Sequence, residues 1–183
     1  EGFALINLGR DRMAKMAALI RTDLEPCFDL GPWREQSTNQ DLRLQDAHFS
    51  SPAVRQLAEL PEILEVLSLC WGRQAFPFQT LNFPVGTQQH VHSDAVHFQS
   101  DPPGFMCGVW VPLEDVDEHA GPLFYYPGSH RLPYLQARDV GYVQVAGRVP
   151  DQSIFHAGWK ALMAVHDLKM RTYTQRLGHA LIW

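Results

Sequence analysis

The chain has 183 residues, which fits one domain, with 45% hydrophobic and 19% charged residues, a globular rather than disordered balance. Its formal net charge of −5 argues against a protein whose main work is gripping nucleic acid or an anionic membrane, since either needs a basic face. No run of about 18 apolar residues appears, so the sequence predicts no membrane span, and with no signal peptide in view the expected location is cytoplasmic. Cys27, Cys70 and Cys107 are widely spaced and form no CxxC pair, so they read as reduced, mostly buried thiols. The unusual feature is nine His, three of them within positions 90–97.

In chain order, Glu1–Leu8 alternates weakly and predicts a short strand. Met13, Met16, Ala17, Ile20 and Leu24 form a helical stripe over Arg10–Leu24, ended by Pro26. Leu30–Asp46 is polar and irregular. Ser51 is placed to cap a second helical stretch with Pro52 at its first position; Pro61 splits this stretch, and Gly72 ends it.

Beyond Gly72 short apolar runs alternate with Pro, Gly, Asp and Ser. Phe76–Phe83, Gln88–Asp94, Phe105–Pro112 and Pro122–Tyr126 read as strands, Gly147–Asp151 as a turn and Asp151–Asp167 as a helix, followed by strands over Lys169–Gln175 and His179–Trp183. Several short strands joined by tight turns suggest a sandwich or jelly roll.

The densest chemical signal is Gln88-Gln89-His90-Val91-His92-Ser93-Asp94. On a strand, residues two apart share a face, so the His92 imidazole and the Asp94 carboxylate project together, with His90 one step behind. These are two donors of the 2-His-1-carboxylate type that holds non-haem Fe(II) and leaves positions open for co-substrate and oxygen. Alone, H-x-D also describes an ordinary surface pair.

Its context is more specific. Pro102-Pro103-Gly104, Phe105–Pro112 (FMCGVWVP), Leu113–Asp117 (LEDVD), Gly121-Pro122-Leu123 and Pro127-Gly128-Ser129-His130 follow in order. With these motifs the sequence resembles the phytanoyl-CoA dioxygenase family of Fe(II)/2-oxoglutarate oxygenases, closely from about Phe78 to Arg131 and loosely from Asp151 to Trp183. The resemblance implies a mostly β fold with flanking helices and a double-stranded β-helix (jelly roll, cupin-like) core. The expected layout is a single domain over 1–183: a mainly helical flank over 1–72, then the jelly-roll core over 73–183 with an inserted helix near 151–167.

It further implies Fe(II) on His92 and Asp94, with 2-oxoglutarate and O2 as co-substrates. The activity implied is hydroxylation of an unactivated C–H bond of a small-molecule metabolite, releasing succinate and CO2. A carboxylate at 94, where related halogenases carry a small residue, favours hydroxylation over halogenation. Trp110 falls where the family sets an aromatic residue against the co-substrate, a role that stands beside plain core packing. Gln79 is a second candidate for that wall, beside a simple backbone-paired role. His90 and His97 are expected on the substrate side. His130 is expected to brace a turn, and the acidic run around Asp115 to be a solvated loop.

The family's second His follows a strand of the type G-x-x-L-I-W, here Gly178–Trp183, and an Arg gripping 2-oxoglutarate comes later still. The third ligand, that Arg and the last part of the core are therefore expected beyond Trp183. A non-catalytic jelly-roll binding protein with an incomplete triad is the rival reading.

Overall fold

The computed structural model describes residues 2–28, 43–87, 89–98, 100–143 and 153–183. The irregular Leu30–Asp46 stretch lies largely outside these, as do Gln88, the Gly147–Asp151 turn and the first residues of the Asp151–Asp167 helix.

The N-terminal third forms as its periodicity dictates. β1 (Ala4–Asn7) is followed by α1 (Arg10–Leu24), whose buried residues Met13, Met16, Ala17, Ile20 and Leu24 are the predicted stripe. α2 (Pro52–Ala58) starts at Ser51, whose side-chain oxygen accepts from the Val54 N–H at 3.1 Å. α3 (Pro61–Trp71) starts afresh at the second proline and stops at Gly72, in the left-handed conformation at φ 61°.

The α1 stripe packs against Val54, Leu60, Ile63 and Leu67 of the second helical stretch and against Ala180 and Ile182 in one apolar cluster. Met13 and Ile20 are 0% and 1% exposed. Burial of this degree stabilises each such side chain by about 1.5–3 kcal/mol relative to exposure.

The second half departs from expectation. β2 (Leu44–Gln45) pairs with β3 (Leu81–Asn82), and β5 (Leu123–Tyr125) pairs with β6 (Arg171–Tyr173). β7 (His179–Ile182) is the middle strand of an antiparallel sheet in the order β1-β7-β4, with β4 being Val109–Trp110. α4 (Ser153–Val165) is the inserted helix.

The closed double-stranded β-helix is therefore not what forms. The fold is mixed α/β, with three small open sheets among the described residues. The run Phe76–Phe83 keeps only two laddered residues, as does Phe105–Pro112, and no ladder includes the described part of Gln88–Asp94. Alternating apolar residues specify an extended backbone but not a partner on each edge. Pro77, Pro84, Pro102, Pro103 and Pro112 each also lack the N–H that a continuing ladder would use. Among the described residues no helix is long and apolar enough to cross a membrane.

The N-terminus of α1 is tied to the β-rich half through Asp115. Both guanidinium nitrogens of Arg10 donate to Asp115, each at 2.8 Å, and Asp115 Oδ1 also accepts from the Leu177 N–H at 2.9 Å. Asp115 is thus not merely part of a solvated acidic loop: it joins α1, the turn after β4 and the entry to β7.

Candidate functional site

His92 and Asp94 lie on the segment running into a single 3-10 turn, Asp94–Val96. The turn is closed by His97 and Phe98 N–H groups, both donating to the Asp94 carbonyl at 2.9 Å. Ser93 between the two residues is extended, at φ −108° and ψ 127°. That single extended residue sends the flanking side chains to the same side, so the sidedness expected of a strand appears without a strand.

The His92 Nε2 and Asp94 Oδ1 atoms are 3.4 Å apart, and the side chains are 26% and 27% exposed. On the far side of the ring, His92 Nδ1 lies 2.7 Å from the His90 carbonyl oxygen, to which it donates. This contact fixes the ring's orientation and leaves Nε2 as the atom facing the carboxylate, an arrangement common for imidazoles that ligate metals. The hydrogen bond that protonated His92 donates to Asp94 raises the His92 pKa, against the opposing effect of burial. Asp94 is held below the usual carboxylate range, first by His92, with burial opposing and the Trp183 N–H assisting.

Trp183 is the partner that sequence reasoning missed. Its indole Nε1 donates to Asp94 Oδ2 at 3.3 Å, across 89 positions of sequence. The indole is placed by the strand pairing: Trp183 and Gly108 exchange backbone hydrogen bonds of 3.0 and 3.1 Å. Its ring lies so close over Gly108 that a Cβ there would come within 2.6 Å of ring carbons.

The remaining candidates divide. His97, expected on the substrate side, packs edge-on against the His92 ring with centroids 5.4 Å apart. Burial lowers its pKa, and the neighbouring His92 charge adds to this. The His90 ring turns to His156 of α4, at 4.8 Å, and His156 in turn packs on Trp159. His156 carried no signal in its local sequence; only the docking of α4 brings it here.

Trp110 sits in β4 with its ring edge-on to Tyr173 at 6.4 Å, and Tyr173 in turn packs against Phe3 and Tyr125. Its carbonyl accepts from Gln175 Nε2 at 3.4 Å. Gln79 is half-buried, and among the described residues no hydrogen bond joins it to His92 or Asp94. His130 packs against Gly2 within a short 3-10 turn. The thiols are less buried than expected: Cys27 and Cys70 are exposed and Cys107 is half-buried, all three unbonded. Burial pushes the Cys107 thiol up to about 11, which makes it a poor nucleophile.

An imidazole nitrogen and a carboxylate oxygen side by side are the right donor types for ferrous iron. Among the described residues, however, no group of three or more His, Cys, Asp or Glu side chains is placed to hold a metal ion. The pair fits two positions of a facial triad, and no described residue fits the third.

Comparison with known proteins agrees with the motifs. The family model for phytanoyl-CoA dioxygenase (PhyH) matches residues 13–161. Over 46 residues the chain is 41% identical to phytanoyl-CoA dioxygenase domain-containing protein 1 of Danio rerio, a match covering 25% of this chain and 16% of that relative. This falls well short of two-thirds of the relative's length. Among solved structures, the non-heme alpha ketoglutarate dependent epimerase SnoN from nogalamycin biosynthesis is similar in fold, with a TM-score of 0.59 and 19% identity over 100% of this chain and 68% of that one.

Proposed function

The chain belongs to the phytanoyl-CoA dioxygenase family, and from that premise we propose that it works as an Fe(II)/2-oxoglutarate-dependent dioxygenase, hydroxylating an unactivated C–H bond of a small-molecule metabolite. The observation that carries the reading is the juxtaposition of His92 Nε2 and Asp94 Oδ1 at 3.4 Å, half-buried and braced from behind. Iron with 2-oxoglutarate would supply the oxidising chemistry, decarboxylating the co-substrate to succinate and CO2.

The chain's own residues bind, orient and shield. The His90 carbonyl accepts the Nδ1 proton of His92, so that Nε2 is the nitrogen left to a metal ion that would replace its proton. Asp94 Oδ1 faces the same side as that nitrogen, while Oδ2 is turned to the Trp183 indole. His97 borders the pair directly, which supports placing it toward the substrate, whereas His90 borders it through its carbonyl and turns its ring to His156. Trp110 and Gln79 remain the proposed 2-oxoglutarate wall, on the strength of the family motif alone.

The second reading is a non-catalytic small-molecule-binding protein of the same family with an incomplete triad. The geometry of the described residues, taken alone, favours it: two donors meet where three are needed, and each Asp94 oxygen already faces a protein partner. Succinate formation from 2-oxoglutarate, measured with the full chain across a metabolite panel, separates the two. The oxygenase reading expects Fe(II)-dependent succinate that disappears in Asp94→Ala. Ligand binding that is indifferent to chelator, with no succinate in any arm, establishes the binding reading instead.

A further inference from the structure

We propose that Trp183 is a positioning residue for the metal-facing carboxylate: its indole N–H engages Oδ2 of Asp94 and so commits Oδ1 alone to the side shared with His92 Nε2. This rests on the reading of His92 and Asp94 as the metal-holding pair.

The indole is held on several sides before it meets Asp94. Its backbone is paired with Gly108 in both directions, at 3.0 and 3.1 Å, so the residue continues the β7–β4 register rather than hanging free. Directly before it come Ala180, Leu181 and Ile182, which are 0%, 5% and 7% exposed and anchor β7 in the core. One part of the ring fills the space left by the missing side chain of Gly108. Trp183 also borders an apolar cavity of about 270 Å³ shared with Phe3, Val66, Trp71 and Ile182. Trp183 is 46% exposed, so part of it faces solvent while these contacts direct its N–H toward Asp94.

The chemical consequence follows from coordination. A carboxylate free to rotate can offer an ion both oxygens and occupy two of its positions. A carboxylate with one oxygen engaged by a fixed N–H donor offers one, and leaves the other position for a chelating co-substrate. Partners of this kind typically alter metal affinity 10–100-fold when removed.

The test is Mn(II) binding to the full chain, followed by the loss of the free-ion electron paramagnetic resonance signal, in wild type, Trp183→Phe and Asp94→Ala. Trp183→Phe deletes the donor together with the benzo carbons that lie over Gly108. The expected result is Mn(II) affinity about 10-fold weaker in Trp183→Phe, and binding lost in Asp94→Ala. Wild-type affinity in Trp183→Phe, alongside loss in Asp94→Ala, overturns the positioning role and leaves the metal pair standing. Binding unaffected in Asp94→Ala, or no saturable uptake by wild type, overturns the metal pair itself. If the Tm of Trp183→Phe falls, replacement of Trp183 by 3-benzothienylalanine decides the matter, since sulfur then stands where the N–H was in an otherwise similar bicycle. The same 10-fold weakening is expected, and wild-type affinity refutes the role.

Discussion

Gly108 and Trp183 exchange two backbone hydrogen bonds, and the indole of one occupies the space where the other has no side chain. The indole then reaches Asp94. A single glycine in the middle of a short strand run therefore sets the surroundings of the carboxylate.

Gly108→Ala tests this directly. The added methyl would come within 2.6 Å of indole carbons, so either the ring or the strand pairing must move. The variant is expected to lose about 1–3 kcal/mol, as overpacked sites do. Urea unfolding followed by tryptophan fluorescence checks both the stability and the altered setting of the indole. An unchanged midpoint and an unchanged native emission spectrum are the contrary outcome.

Ser51 caps α2 and also donates its hydroxyl to Asp23 of α1 at 2.5 Å, while itself 3% exposed. Ser51→Ala removes both bonds and leaves the Val54 N–H without its side-chain acceptor. The expected cost is about 1–2 kcal/mol, combining the loss of a cap with that of a charge-assisted bond. Equilibrium denaturation measures it, and Ser51→Thr, which retains the hydroxyl, is expected to recover most of the loss.

Asp115 gives the fold an acid sensitivity of known sign. The Arg10 guanidinium, with help from the Leu177 N–H, lowers its pKa to about 2. An unfolded Asp titrates near 4. Because the folded value is the lower one, the stability contributed is fully present above the unfolded value and fades as pH falls through the folded one. The wild type is expected to lose urea midpoint between about pH 5 and pH 2 more steeply than Asp115→Asn, by a small margin because the pair is about half exposed. Parallel curves for the two proteins over that range would remove Asp115 from the acid response.

The elements fixed by local chemistry were legible from the residues. The α1 stripe, the Ser51 cap, the restart at Pro61 and the stop at Gly72 all depend on neighbours within a few positions, and each formed where its residues placed it. The open sheets were not legible: the expected barrel does not form, because closure depends on which extended runs meet. Phe76–Phe83 is extended in composition yet ladders only through Leu81–Asn82. The site was legible in part for the same reason. The His92–Asp94 proximity needs only an extended Ser93 between them, whereas the Trp183 and His156 contacts depend on packing across 89 and 66 positions.

The most direct measurement on the central claim is a Co(II) titration of the full chain, followed by visible absorption, in wild type, His92→Ala and Asp94→Ala. Cobalt stands in for ferrous iron, and its ligand-field bands report the donors that hold it. The account predicts saturable bands in the wild type that vanish in both variants. Bands that persist unchanged in either variant would show that these two side chains do not jointly hold the ion.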